Sequence, residues 1–223
     1  MTGQLNILFE DNHLLAVSKP AGLPTMGVAQ GESSLLSIAK DYIKHKHNKP
    51  GNVYLGVVSR LDSLVTGVVV FARTSKAARR LSEMFRTGEI EKTYHAIVSG
   101  TPEPEQALLD DWLRKNERLR KMEVVNPNVK DAKRAKLAYR VLKRLNKRSL
   151  LQVDLQTGRK HQIRVQLAHH GFPVLGDKKY GSNRSFPSGI ALHSLRLAFL
   201  HPIRKTSVEL VAPTPKVWKS FMS

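Results

Sequence analysis

The stretch RLDSLVTGVVVFART, residues 60–74, decides how this chain folds. From Gly67 to Ala72 it is an unbroken apolar run, and a run without polar alternation indicates a strand buried on both faces. Asp62 stands just before this strand and two residues after Arg60. Burial raises the pKa of a carboxyl and a neighbouring guanidinium lowers it, so an aspartate kept ionised by an arginine can act as nucleophile or base. Taken alone, these residues are more simply interpreted as an ordinary Arg–Asp ion pair at the end of a strand.

Outward from this stretch, apolar spacing and turn residues predict further strands and helices. Residues 33–46 have helical spacing behind an N-cap at Ser33 or Ser34, and a second helix begins at Thr74 or Ser75 and ends at Gly88. The other predicted elements are strands at 5–9, 13–17, 54–58, 92–98, 149–156, 190–200 and 207–211, and helices at 161–170 and after Pro215. Because the helices are irregularly interspersed among many strands, the pattern favours an α+β fold with a large mixed sheet.

The charge of the chain indicates a polyanionic partner. The 223 residues hold 37 Lys and Arg against 18 Asp and Glu, a net charge of +19. Such an excess favours phosphate neutralisation, and the lack of a basic amphipathic segment favours nucleic acid over a membrane surface. Residues 114–148 alone hold 14 Lys and Arg against 3 acidic residues. This clustering favours strands with an RNA- or DNA-binding face over a merely solubilising surface.

Other features of the composition exclude some classes of protein. The chain has no cysteine, which excludes disulfides, thiolate zinc sites and a cysteine nucleophile. The first ten residues lack the pattern of a signal peptide, and no apolar run reaches the ~18–20 residues of a membrane span. We therefore expect a cytoplasmic protein without a membrane partner. The length and the lack of a clear boundary predict a single domain over residues 1–223.

Three further segments carry a resemblance to a known family. They are EKTYHAIVSG (residues 91–100), TGRKHQIRVQL (157–167) and GFPVLGDKKYG (171–181), and the opening segments ILFED (7–11) and KPAG (19–22) are also similar. Together with residues 60–74, they resemble the RluA-type pseudouridine synthases in motif order and spacing, from about residue 5 to residue 200. The departures are Ser59 where histidine is common, Val65 and Thr66 where threonine and serine are usual, and Lys160 in place of threonine. These departures bear more on substrate choice than on chemistry.

The resemblance implies a fold, an activity and a domain organisation. The fold is α+β, with a large, mixed, mainly antiparallel β-sheet and flanking helices. The activity is isomerisation of specific uridines in ribosomal or transfer RNA to pseudouridine, which needs no cofactor and no metal. We expect no S4-like RNA-binding domain, because the family segments begin within the first ten residues. We also expect RNA (ribosomal or transfer RNA) as the partner, no membrane and no small-molecule cofactor, and a monomeric protein.

The resemblance also assigns roles to individual residues. Asp62 would be the essential carboxylate, which attacks the ribose C1′, adds to uracil C6 or removes the C2′ proton. Arg164 would pair with Asp62 and keep it ionised, and Tyr94 would lie beside the target base. Arg60 would enter the RNA stack when the uridine is flipped out. The remaining residues expected on RNA are Lys19, Lys92, Lys133, Arg134, Lys136, Arg159, Lys160 and His161.

Alternative classes of protein fit the sequence less well. A non-catalytic RNA-binding protein on the same fold would have no reason to keep Asp62, Tyr94 and Arg164 together. A glycosidase or nuclease needs a second carboxylate, and the candidate, Asp177, lies in a Gly-Asp-Lys-Lys turn. A ribosomal-type structural protein is disfavoured by the apolar core strands. Histidines 161, 169 and 170 lack the i, i+4 spacing of helical zinc ligands, so we predict no metal site.

Overall fold

The structure is a computed structural model that describes residues 5–29 and 31–222. These residues form two compact units. The first unit covers the chain up to Ile90 together with Ser194–Pro213, and the second covers Glu91–His193 and the residues from Thr214 onward. The single catalytic domain expected over residues 1–223 remains a prediction.

The first unit contains a set of mainly antiparallel strands, numbered along the chain. They are β1 (Asn6–Glu10), β2 (Leu14–Lys19), β3 (Gly56–Val57), β4 (Thr66–Ala72), β10 (Leu192–Leu200), which belongs to this unit from Ser194 onward, and β11 (Ser207–Val211). The strand order is β1-β2-β4-β10, with β3 paired to β4 and β11 paired to β10. Strand β2 is antiparallel to both β1 and β4. The strand that carries the predicted apolar run therefore lies inside the sheet.

Two helices cover strand β4 and explain its apolar run. All seven residues of β4 are buried. Val69 and Phe71 belong to the apolar cluster that includes helix α1 (Leu35–Lys46). Val68 and Val70 belong to a second cluster with helix α2 (Ser75–Thr87). The prediction of a strand buried on both faces is confirmed.

The helix ends are where the local sequence signals predict them. Ser34 caps α1 by accepting a hydrogen bond from the Ser37 backbone, and the Ser37 hydroxyl accepts one from the Ser34 backbone in return. Thr74 caps α2, and Gly88 ends that helix with a left-handed φ of 82°.

The second unit is built on long antiparallel strands. They are β5 (Glu91–Ser99), β6 (Gln106–Asn116), β7 (Lys121–Val125), β8 (Lys133–Leu145) and β9 (Arg148–Leu155), in the order β5-β9-β8-β6-β7. Its helices are α3 (Gln162–His169), α4 (Lys219–Met222) and single 3-10 turns at Lys178–Tyr180 and Lys216–Trp218. Val165 of α3 packs with Leu113, Ala135 and Tyr180. The basic region 114–148 is thus folded into strands, as its alternation predicts.

One predicted strand is shorter than expected. The spacing predicts a strand over residues 54–58, but only Gly56–Val57 pairs with β4. Beyond Val57, the Ser59 side chain bonds to β4 in place of a backbone group. Its hydroxyl accepts from the Val70 N–H at 3.0 Å and donates to the Val70 carbonyl at 3.3 Å. A side chain therefore replaces the backbone ladder at this point.

In the part of the chain that the structure describes, no helix is both long enough and apolar enough to cross a membrane.

Candidate active site

Asp62 lies in the loop of residues 58–65, between β3 and β4 of the first unit. Its side chain is half-buried, and its carbonyl accepts the Val65 N–H at 3.0 Å, which closes a turn. The preceding residue, Leu61, is held at both backbone groups by the Thr25 hydroxyl, at 2.9 Å from its carbonyl and 3.2 Å from its nitrogen. The backbone on both sides of Asp62 is therefore fixed by hydrogen bonds.

Lys19 supports the same loop from the end of β2. Its side chain is 1% exposed, and its ammonium donates to the carbonyls of Pro20, Leu23 and Ser63 at 2.8, 2.8 and 3.0 Å. Burial lowers the pKa of Lys19 to about 8, although the charge of Asp62 nearby opposes this shift. The three donated hydrogen bonds fit the charged ammonium form.

The position of Lys19 does not suit its expected contact with RNA. An ammonium has three N–H groups, and all three are used by carbonyls: those of Pro20 and Leu23, in the segment after β2, and that of Ser63, next to Asp62. Lys92, on β5, is also buried, and burial lowers its pKa. Both lysines are therefore too buried for direct contact with the RNA backbone.

Arg164 lies on α3 of the second unit, where it is 4% exposed. Its Nε and one terminal nitrogen donate to the two carboxylate oxygens of Asp177 at 2.6 and 2.8 Å. Its guanidinium also lies over the Tyr180 ring, 5.0 Å from the centroid. A bidentate pair of this kind is strong and directional. An arginine held in this way is not a solvated residue on a helix surface.

Asp177 and Tyr180 contact Arg164, which the sequence did not indicate. Asp177 is 1% exposed and was interpreted from sequence as a turn residue. The Tyr180 hydroxyl accepts the Met122 N–H at 3.0 Å and lies 2.7 Å from Nδ1 of His161. The signal was present in the family-like segment 171–181, but nothing local indicates that its acid and its tyrosine face α3.

The segment before α3 is held by the side chain of Gln162. Its amide oxygen accepts from the Thr157 hydroxyl at 2.8 Å and from the Arg159 N–H at 2.9 Å. Its amide nitrogen donates to the Lys136 carbonyl at 3.0 Å. The Gln in this motif therefore positions the turn that starts α3, and with it Arg164.

The other predicted residues divide between the two units. Tyr94 is half-buried on β5, directly opposite Val153 of β9, and it lies in the second unit with Arg164. Asp62 and the exposed Arg60 lie in the first unit. The pairing of Asp62 with Arg164 remains a prediction.

The predicted RNA-binding residues of the second unit differ in exposure and in their partners. Lys133, Arg159 and Lys160 are exposed. Arg134 forms a bidentate pair with Asp110, and Lys136 lies 3.4 Å from the same carboxylate. Within residues 5–29 and 31–222, no group of three or more His, Asp or Glu side chains is arranged to hold a metal ion.

Comparison with known proteins identifies the fold as that of a pseudouridine synthase. The solved structure of human RNA pseudouridylate synthase domain containing 4 superposes with a TM-score of 0.79 at 27% identity, covering 96% of this chain and 90% of that one. The family model of RNA pseudouridylate synthases matches residues 13–169. The chain belongs to this family.

Named bacterial relatives agree with this assignment. Ribosomal large subunit pseudouridine synthase D of Zymomonas mobilis is 33% identical over 95% of this chain and 70% of its own length. Ribosomal large subunit pseudouridine synthase C of Buchnera aphidicola is 31% identical over 97% of this chain and 69% of its own length. The predicted fold class and the predicted enzyme class, an RNA pseudouridine synthase, are confirmed.

Proposed function

We propose that the chain isomerises one or more uridines of large-subunit ribosomal RNA, with Asp62 as the essential carboxylate. The observation that carries this proposal is the fixed, half-buried Asp62 loop, in a chain that also holds a buried arginine at the motif position expected of its partner. The ribosomal target is suggested by the printed names of the relatives, and transfer RNA is the other outcome of the test below.

The reaction exchanges one bond of the uridine for another. The N1–C1′ bond breaks, the uracil turns while it is held, and the C5–C1′ bond forms. C5 then loses its proton and N1 gains one, so the product is an isomer of the substrate. Asp62 would serve this sequence by attacking C1′, adding to C6 or removing the C2′ proton.

Arg164 is proposed to hold Asp62 in its ionised form. Asp177 engages the Nε and one terminal nitrogen of the Arg164 guanidinium, and the five N–H groups of an arginine are enough for two carboxylates. A buried arginine shared between two acids would be fixed in position before RNA binds, and a preorganised charge stabilises an anion without reorganisation during the reaction.

The remaining site residues are proposed to handle the RNA. A stacked uridine does not expose its glycosidic bond, so the base must leave the helix. Arg60 is exposed and adjacent to the Asp62 loop, which suits a side chain that fills the vacated space. Tyr94 is proposed to lie against the flipped uracil. Lys133, Arg134, Lys136, Arg159, Lys160 and His161 are proposed to bind the RNA backbone.

The test is to map pseudouridines in total RNA from cells with the protein, without it, and with Asp62→Asn. We expect a small set of sites to disappear in the last two cases, while the purified variant still folds and binds RNA. Full modification by Asp62→Asn would show that the carboxylate is not essential. Unchanged sites in all three cells would favour a catalytically silent RNA-binding protein.

We further propose that the protein works as a cytoplasmic monomer with residues 1–223 acting as one catalytic domain. Light scattering of the purified chain, alone and with RNA, tests the monomer. Activity lost on separating the two units, and not regained on mixing them, would support a single catalytic domain.

A further inference from the structure

The turn between β6 and β7 is held by side-chain hydrogen bonds. We call residues 117–120, with the sequence Glu-Arg-Leu-Arg, the hairpin tip. The Asn116 side chain accepts the Leu119 N–H at 2.9 Å and donates to Glu123 at 2.8 Å. Arg114 donates to the same Glu123 at 2.7 Å. These bonds fix the tip from within the hairpin.

The hairpin tip presents two exposed arginines. The two acids nearest the tip are paired with other residues, since Lys115 binds Glu117 at 2.6 Å and Arg114 binds Glu123 at 2.7 Å. Arg118 and Arg120 are exposed, and neither has an ion-pair partner within the described part of the chain. Their charges are therefore available to a partner, whereas those of Arg134 and Lys136 are partly met by Asp110.

An apolar residue stands between these two arginines in the sequence. Leu119 is 50% exposed at the end of the turn. A single exposed leucine is common, but this one is held on a fixed turn by the Asn116 hydrogen bond and is flanked by two arginines. The tip thus combines two phosphate-binding forks with one apolar contact.

We propose that the hairpin tip is an RNA-binding element, separate from the residues proposed to act on the uridine. Arg118 and Arg120 bind phosphates on either side of an unpaired nucleotide, and Leu119 packs against its base or ribose. Arginine matches phosphate geometry through paired hydrogen bonds, and RNA loops expose bases that side chains can contact. The inference rests on the proposed function, because it takes its partner to be the RNA substrate.

The test compares Arg118→Gln/Arg120→Gln with a matched control on α2, Lys76→Gln/Arg79→Gln. All four side chains are exposed, and the two double variants remove the same charge. Pseudouridine formation on a substrate RNA gives kcat and KM for each double variant. The same variants with Asp62→Asn added cannot turn the RNA over, and their binding to it gives Kd as a function of salt.

We expect the tip variant to raise KM about tenfold with kcat changed less than twofold. Its plot of log Kd against log salt should be shallower by about 1.4–1.8, as two lost phosphate contacts predict. Leu119→Ala should weaken binding severalfold without changing that slope. Equal thermal midpoints for all variants establish that the fold is kept.

Two outcomes overturn the inference. One is a tip variant whose KM and salt slope change no more than those of the control. The other is a tip effect that appears with anionic vesicles or an acidic peptide and not with RNA. If the tip governs RNA binding but the wild-type protein forms no pseudouridine, the proposed function fails while the binding element remains.

Discussion

At the scale of single residues, Arg164 and Asp177 form an ion pair in the interior of the second unit. Arg164 is 4% and Asp177 1% exposed, and removing one partner of a buried ion pair typically costs about 3–5 kcal/mol because the other charge is left unpaired. We therefore expect Asp177→Asn to lower the free energy of unfolding by an amount of this order. Urea denaturation at neutral pH measures it.

The same variant separates the structural from the catalytic part of this pair. If Asp177 positions Arg164 for Asp62, Asp177→Asn should reduce kcat at a temperature where the variant is fully folded, and Asp177→Glu should restore part of it. RNA affinity should stay within about twofold. A folded Asp177→Asn enzyme with wild-type kcat would leave Asp177 with a structural role alone.

Sequence could identify Arg164 but not its partner. The arginine falls in a recognisable motif, whereas its contact with Asp177 depends on how α3 and the following turn pack against each other. Lys19 shows that sequence can also suggest a contact that the fold does not favour. Its place in the family-like opening segment and its charge suggested an RNA contact, but three backbone carbonyls bind its ammonium inside the protein. Local sequence does not report burial of a polar side chain.

At the scale of elements, the first residues of β4 depend on one glycine. Gly67 has a φ of +117°, and a Cβ built on it would lie 2.2 Å from the carbonyl oxygen of Ser194 on β10. Both the backbone conformation and the contact with another backbone exclude a side chain. The glycine of the family signature is thus explained by the close approach of two strands.

Replacing this glycine should disrupt the sheet next to Asp62. We expect Gly67→Ala to fold poorly or to lose several kcal/mol of stability, because overpacking against backbone adds to about 1–3 kcal/mol of conformational strain. Gly51→Ala is the control, since a Cβ there meets nothing within 4 Å. Thermal unfolding of both variants gives the answer, and equal midpoints would contradict the argument.

Glu10 joins three elements of the first unit. Its carboxylate, at the end of β1, accepts from Tyr42 and Lys46 of α1 at 2.8 Å and from Arg73, just after β4, at 3.0 Å. Burial raises its pKa, but hydrogen bonds from Lys46, His47 and Tyr42 outweigh this and lower the pKa to about 2. In the unfolded chain the value is near 4.5.

This shift predicts a defined dependence of stability on pH. The folded state favours the ionised Glu10, so the stabilisation is fully present above pH 4.5 and is lost as the pH falls towards 2. A shift of this size corresponds to roughly 3 kcal/mol. We expect Glu10→Gln to be less stable than wild type at pH 6, with a gap that narrows below pH 4.5. Urea denaturation at several pH values tests this, and exposed Glu32→Gln is the control.

Signals that act within a few residues predicted these elements well. The Ser34 and Thr74 caps and the Gly88 stop are properties of local backbone, and they place both helices of the first unit correctly. The extent of β3 was wrong because strand pairing is decided by the neighbouring strand. There, the Ser59 hydroxyl displaces a backbone partner of β4, which no local pattern of residues 54–58 could show.

At the scale of the whole molecule, the positive charge is unevenly distributed. The second unit holds 23 Lys and Arg against 10 Asp and Glu, which leaves +13 of the net +19. Exposed charges attract a polyanion over about a Debye length, near 8 Å at physiological salt. The second unit should therefore supply most of the electrostatic part of RNA affinity.

The affinity for RNA should consequently fall steeply as salt rises. Each phosphate contact releases counterions and contributes about 0.7–0.9 to the slope of log K against log salt, so six contacts give a slope of about −4 to −5. We expect Asp62→Asn protein, used to prevent turnover, to lose at least about a hundredfold in affinity between 50 and 200 mM salt. Lys133→Gln/Arg159→Gln should flatten the slope more than Lys44→Gln/Lys49→Gln in the first unit. If the affinity of the protein without these Lys and Arg substitutions did not change with salt, the cations of residues 114–148 would be solvated and the affinity would come from uncharged contacts.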